Sequence, residues 1–348
     1  MSDVSVRICP SCGGKMVFIP EIGKMKCEFC ENTYEVEAAT EQKAVQVARE
    51  TPPITTYEQQ LAECTCQSCG AAVCAQNEVI SLGCPYCGNA LVITSRVSSL
   101  FHPDGIIPFR FGANEALQFF QNFTKKLWFV PKSLKQNVKP SDFRAMYAPY
   151  YLFDFDVSGE VGFANTKKFA MEVNKLPLDA STNFPNDLMD NISPYDYQKM
   201  IAFSSDYLRG FMGEVYNENR NEFIPRATAM VQTTFDSYIA RELNTLSGQK
   251  DSHMTATVKR IYYVLLPVYL FSAVDQGKRY FYAVNGQTGR VAGNVPYEKK
   301  VKSTSKLVAL IAWFFLGFPF VCVALFLLIF AVRGTDGLSD LKNMFSGN

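Results

Sequence analysis

The sequence predicts a multidomain chain with three parts: two small tandem β modules built on cysteine, an α+β domain with mainly antiparallel strands, and one C-terminal transmembrane helix. Three observations predict it. Ten of the eleven cysteines fall in the first 87 residues, eight of them as two copies of one spacing, the middle of the chain mixes helical and strand periodicities, and Leu307 to Val332 holds no charge. At 348 residues there is room for two or three folded units. A 48% hydrophobic and 19% charged composition excludes a disordered chain, which would lack apolar surface to bury. Lys plus Arg (34) nearly cancels Asp plus Glu (33), so net charge supplies no argument for a nucleic-acid partner. Only His102 and His253 are available for histidine-based catalysis.

The first element is Cys9-x2-Cys12, fourteen residues, Cys27-x2-Cys30; the same arrangement returns as Cys66-x2-Cys69, fourteen residues, Cys84-x2-Cys87. Four thiolates in two Cys-x-x-Cys turns suit a tetrahedral zinc ion, because each turn aims two sulfurs at one point. Gly13, Gly70 and Gly88 follow second cysteines, where a knuckle favours positive φ. Short strands at Lys15–Ile19 and Ala71–Cys74 complete zinc ribbons over residues 1–36 and 64–95, each with one structural Zn²⁺. Residues 37–63 read as a linker, helix-compatible from Glu37 to Glu50 and stopped by Pro52-Pro53. Rubredoxin-like iron would need the two pairs more widely separated. Cys84-Pro-Tyr-Cys87 spells a glutaredoxin tetrapeptide, but lacks the βαβ setting of a redox motif and has a second pair upstream. Cys64 is an alternative ligand to Cys66, and Cys74 reads as a small core residue.

Within the ribbons, charge weighs against nucleic acid. Residues 1–90 hold six Lys and Arg against eleven Asp and Glu, a net −5, and eight thiolates around two divalent ions lower this to about −9. Such a balance repels a polyanion and points to protein partners.

Residues 101–297 form the α+β domain. Asn114–Trp128 reads as an amphipathic helix with Leu117, Phe120, Phe123 and Leu127 on one side. Met146–Phe163 is β-rich, with Ser158-Gly159 as its hairpin turn. A helical stretch runs from about Tyr195 to Leu246, with Ala227, Met230, Val231, Phe235, Tyr238 and Ile239 as its buried stripe. Strands return at Ala256–Ala273 and Lys278–Ala292, joined by Asp275-Gln-Gly, and Asn285-Gly286 marks the next turn. Pro149-Tyr-Tyr-Leu-Phe and Pro267-Val-Tyr-Leu-Phe echo one another, which fits two related β units with helices on one face. Lys125, Lys126, Lys132, Lys135, Lys139 and Arg144 lie near Phe123, Trp128 and Phe129, and read as a solvated face more readily than as a lipid or nucleic-acid surface. Asp154 and Asp156 read as a solvated strand edge.

The last element is the run 307–332, longer than the ~20 apolar residues a span needs. Eighteen of its 26 residues are Leu, Ile, Phe or Val, which favours insertion by on the order of 5–10 kcal/mol. Gly317 and Pro319 would kink it; a re-entrant hairpin is disfavoured because its arms would be too short. Lys299, Lys300, Lys302 and Lys306, in a basic juxtamembrane segment at 298–306, precede it and are candidates for lipid headgroups. The positive-inside rule then predicts a single-pass, tail-anchored cell-membrane protein, with the bulk of the chain cytoplasmic and 333–348 as an extracytoplasmic tail. Cytoplasmic placement disfavours disulfides, and Cys322 within the span reads as apolar filler.

Catalytic machinery is not visible. The chain has no phosphate-cradling P-loop motif, and Asn285-Gly-Gln-Thr-Gly289 lies between strand patterns as a hairpin.

Several stretches resemble a family of bacterial membrane-anchored zinc-ribbon proteins, described as transcription-factor-IIB-type zinc ribbon, YdjG-like, or by a primosomal-helicase-like label that no motor motif here supports. They are Ile106–Phe111, Trp128–Pro131, Met146–Phe153, Asp206-Tyr-Leu-Arg-Gly-Phe211 and Tyr280–Gly293, with the knuckles and the terminal run. The resemblance implies action with an SPFH (flotillin-like) protein and a PspA-like phage-shock protein in membrane stress. The resulting expectation is a non-enzymatic, membrane-tethered adaptor that recruits protein partners; the alternative is a tethered nucleic-acid-binding protein. The oligomeric state is left open.

Overall fold

Alternation of buried and exposed side chains builds the first strands. A computed structural model describes residues 4–37, 61–76, 78–97, 102–127, 137–161, 167–217, 219–243, 252–275 and 277–293. After β1 (Val4–Ser5), strands β2 (Met16–Ile19), β3 (Lys24–Cys27) and β4 (Thr33–Tyr34) form a three-stranded sheet with Met16, Phe18, Met25 and Cys27 inside. In the second ribbon β5 (Leu61–Thr65) pairs β6 (Ala72–Gln76), but β7 (Val79–Gly83) and β8 (Ala90–Ile93) leave that pair. They join a ten-stranded sheet instead, with β1 alongside β8.

The rest of that sheet follows a one-turn helix α1 (Thr94–Val97). Its elements are β9 (Gly105–Ile106), α2 (Ala113–Lys126), β10 (Arg144–Val161), β11 (Lys167–Asp179), α3 (Asn186–Asn191), β12 (Met212–Glu214), α4 (Ile224–Leu243), β13 (Ser252–Asp275), β14 (Lys278–Asn285) and β15 (Val291–Gly293). The order is β1-β8-β7-β12-β10-β13-β14-β15, with β11 also on β10 and β9 also on β13. Most pairs are antiparallel; β9–β13 and β10–β12 are parallel.

The long strands β10 and β13 lie antiparallel at the centre. One face, with Ala148, Tyr150, Leu152, Val264, Leu266 and Val268, is covered by Leu188, Met189, Ile192 and Tyr195 from α3 and the segment after it. The opposite face receives α2, whose Phe120 meets Phe143, Phe271 and Tyr282, and α4, whose Phe235 lies against Gly159.

The two echoing prolines occupy equivalent places. Pro149 sits where β12 ends against β10 and β11 begins, and its carbonyl accepts from the Ala180 amide at 3.0 Å. Pro267 sits where β9 ends against β13 and β14 begins, accepting from the Gly286 amide at 2.8 Å. A residue without an N–H fits a gap between two neighbouring strands. The domain is thus two strand–helix–long strand–strand units, β9-α2-β10-β11 and β12-α4-β13-β14, each first strand pairing with the other unit's long strand. Helices α2 and α4 share a face, as the echo suggests, whereas α3 lies on the other.

Several expectations are corrected. The expected fold class, ribbons followed by an α+β domain and a single membrane helix, gives way to a large mixed sheet with few helices, into which the second ribbon's β7 is paired through β12. No helix among the described residues is long and apolar enough to cross a membrane. The run 307–332, the lysines at 299, 300, 302 and 306, and the 333–348 tail lie outside the described residues, as do Lys132, Lys135 and most of the 37–63 linker. The tail-anchored, single-pass cell-membrane placement is therefore not carried by any described element.

Ser158-Gly159 is not a turn: β10 runs through it, pairing with Ala170-Phe169 on one side and Thr255-Met254 on the other. The glycine serves close approach, since a Cβ there would meet the Phe235 ring at 2.5 Å and the His253 carbonyl at 2.8 Å. Helix α4 starts only at Ile224, because 195–223 is taken up by 3-10 turns and β12. Its stripe is buried at Ala227, Val231, Phe235 and Ile239. Asp154 is buried on a central strand rather than at a solvated edge; it accepts from the Lys175 amide at 2.8 Å and from Arg260 at 3.2 Å. Asp156, by contrast, is exposed and pairs with Lys259.

Candidate metal centres

Each Cys-x-x-Cys turn closes on its own backbone. The amides of Gly13, Gly70 and Gly88 donate to the carbonyls of Cys9, Cys66 and Cys84 at 2.8 Å, and their φ values are 72°, 74° and 70°. In the fourth knuckle the Glu31 amide donates to the Cys27 carbonyl at 3.1 Å, and Glu31 itself takes φ 61°. Nothing in its residue type announces that conformation.

These turns bring Cys9, Cys12, Cys27 and Cys30 together, and likewise Cys66, Cys69, Cys84 and Cys87, with the sulfurs of each group within 4.8 Å of one another. Sγ–Sγ distances are 3.6 Å (Cys9–Cys30), 3.5 Å (Cys12–Cys27), 3.8 Å (Cys66–Cys87) and 3.9 Å (Cys69–Cys84). A tetrahedron with metal–sulfur bonds of ~2.3 Å has edges of about 3.8 Å, whereas a disulfide needs ~2.05 Å. Both clusters therefore have the donors and spacing to hold a metal ion. The Tyr34 hydroxyl, 3.5 Å from Cys9 Sγ, is the main influence that lowers the Cys9 thiol to about 6. The Asn89 amide does most to lower Cys87 to about 7.

The other cysteines stay out of the clusters. Cys64 is buried and donates its thiol to the Val73 carbonyl at 3.2 Å, with burial pushing its pKa up, so Cys66 is the clustered residue. Cys74 is exposed on β6, not a core residue, because the alternation there buries Val73 and Ala75. Cys322 lies outside the described residues.

Three contacts that spacing could not reveal fix the ribbons in place. Arg7 and Arg209 both pair with the buried Asp206, and Arg209 also reaches the Ser5 carbonyl and hydroxyl. Phe18 packs edge-on against Tyr207 at 5.0 Å, and its amide donates to the Arg209 carbonyl at 3.0 Å. Lys15 donates its ammonium to the Cys87 carbonyl in the other ribbon. The Asp206–Phe211 stretch is thus the seat of the first ribbon. At the knuckle tips, Phe29 and Tyr86 occupy equivalent repeat positions and are 81% and 72% exposed. Lys125, Lys126, Lys139 and Arg144 are exposed. His102 packs against Phe203, and His253 is exposed; neither approaches a cluster.

No family model matches the chain, and no solved structure matches it. The chain is similar to the uncharacterized protein YdjG of Bacillus subtilis (strain 168). The two are 28% identical over 317 residues, covering 84% of this chain and 90% of YdjG. That likeness supports the YdjG-like label. It carries neither the membrane anchor nor the transcription-factor-IIB-type kinship.

Proposed function

We propose that the protein is a non-enzymatic zinc-ribbon adaptor that binds protein partners through the knuckle tips. Zinc is the metal best suited to two all-thiolate tetrahedral sites, which are closed by four protein ligands and so serve structure rather than catalysis. The observation that carries the reading is the outward display of Phe29 and Tyr86, 81% and 72% exposed, at matching positions of two rigid knuckles. Aromatic side chains fixed on rigid turns are typical anchors of protein interfaces. The acidic balance of residues 1–90, six basic against eleven acidic side chains, favours protein over nucleic acid. By family resemblance, an SPFH (flotillin-like) protein and a PspA-like protein are the first partners to try.

Metal analysis of the purified chain should give two equivalents of zinc. The double variant Phe29→Ser, Tyr86→Ser should keep both ions and bind either partner at least about tenfold more weakly. Unchanged binding by this variant, or steeply salt-dependent DNA binding by the full chain, would overturn the reading.

A further inference from the structure

The two ribbons differ at a residue that touches both. Lys15 stands in the first ribbon where the second has Ala72. Its carbonyl accepts from the Glu28 amide at 3.0 Å, beside the ligand Cys27, while its ammonium crosses to the Cys87 carbonyl. Gly88, at φ 70°, leaves room for this crossing: a Cβ there would lie 3.0 Å from Lys15 Nζ. A second connection runs through β1, where Val4 is buried in one apolar cluster with Cys66 and Cys84, and the chain then supplies Cys9 to the other site.

We infer that the two four-cysteine sites load metal as a coupled pair, with Lys15 as the positioning residue that transmits loading between them. Four thiolates around a divalent ion leave a net charge of about −2, which an adjacent ammonium stabilises. The Lys15 backbone is held in place by the Glu28 amide, part of the knuckle that metal at the first site closes. Loading the first site therefore holds the ammonium beside the second, and linkage makes the effect reciprocal. The inference rests on both clusters being metal sites.

Cobalt(II) is the probe, titrated into the reduced metal-free full chain and competed with a chelator, with the thiolate-to-cobalt charge-transfer band as readout. The unmodified protein should load with a Hill coefficient clearly above one, about 1.5 for a tenfold coupling. Lys15→Met should lower it towards one and, by the same linkage, weaken loading of each site beside its filled neighbour about tenfold. Lys15→Arg, which keeps a charged donor, should retain most of the coupling. Both variants keep all eight sulfurs, so full absorbance at saturation shows that the ribbons still form. A Hill coefficient of one in the unmodified protein, or an unchanged coefficient in Lys15→Met, would sink the inference. Absence of the band altogether would instead remove the metal reading, and the inference with it.

Discussion

Ala148 faces Leu266 across the two central strands, and each is the residue immediately before the proline of a repeated Pro-x-Tyr-Leu-Phe segment. The pair therefore marks a local two-fold axis. About it, β12 on β10 matches β9 on β13, and the β10–β11 hairpin matches β13–β14. Tyr151 and Tyr269, corresponding residues of the echo, are both buried in aromatic clusters, with Tyr216 and Phe223 around the first and Phe109 and Phe111 around the second. The second ribbon joins this sheet at one edge, through β7 on β12. The first ribbon is seated on the turn that precedes β12.

That seat depends on one buried carboxylate. Asp206 faces both Arg7 and the buried Arg209. Asp206→Asn leaves the buried Arg209 without its carboxylate and Arg7 with only the exposed Glu37, and removing one member of a buried pair costs about 3–5 kcal/mol. The loss should be local: amide exchange should rise across 4–37 well before the central strands lose protection.

Glu31 is a non-glycine residue at φ 61° in a knuckle whose three counterparts are glycine. A left-handed conformation costs an ordinary residue about 1–2 kcal/mol, partly offset by the flexibility glycine adds to the unfolded chain. The exposed Lys26–Glu31 pair, 3.6 Å apart, contributes little. Glu31→Gly should therefore stabilise the protein by about 0.5–1 kcal/mol in denaturant titration, and Glu31→Ala should not.

Gly159→Ala should destabilise by about 1–3 kcal/mol, as overpacking does. The added methyl would meet the Phe235 ring and the His253 carbonyl, and the carbonyl belongs to a paired strand that cannot yield. A midpoint shift in denaturant unfolding would measure it. If the residue were only a surface turn, the change would be near zero.

Burial raises the Glu214 carboxyl above its ordinary value, while hydrogen bonds from Asn183 at 3.0 Å and Ser181 at 3.4 Å act the other way. The folded protein thus holds this proton more tightly than the unfolded chain. The contribution is favourable below the ordinary glutamate value of about 4.3 and is lost as pH rises through the raised folded value. Glu214→Gln should remove that decline, so melting temperature against pH should be flatter for the variant across this window. A variant as steep as the unmodified protein would assign the decline to other groups.

Much of the metal chemistry was legible because it is local. A Cys-x-x-Cys turn is closed by its own amides, so spacing pointed to the eight clustered cysteines and the strands that follow them, with only the choice of Cys66 over Cys64 left to the structure. The hairpins at Asp275–Lys278 and Asn285–Arg290 were readable for the same reason. Glycine misled at 158–159, since a missing Cβ serves a turn or a close approach equally well and only Phe235 tells them apart. Cys74 misled because a small apolar residue on a two-sided strand gives no sign of which face is covered.

The sequence by itself determined the two cysteine quartets and the glycine knuckles, which are set by turns spanning a few residues, and it showed the proline echo without its pairing. Only the tertiary structure decided that β7 and β8 leave their ribbon for the large sheet, that Asp206 and Arg209 seat the first ribbon, and that Lys15 reaches Cys87. Those contacts join residues far apart in the chain. Their energy comes from burial and charge pairing after the chain has closed on itself, and no short-range periodicity encodes that.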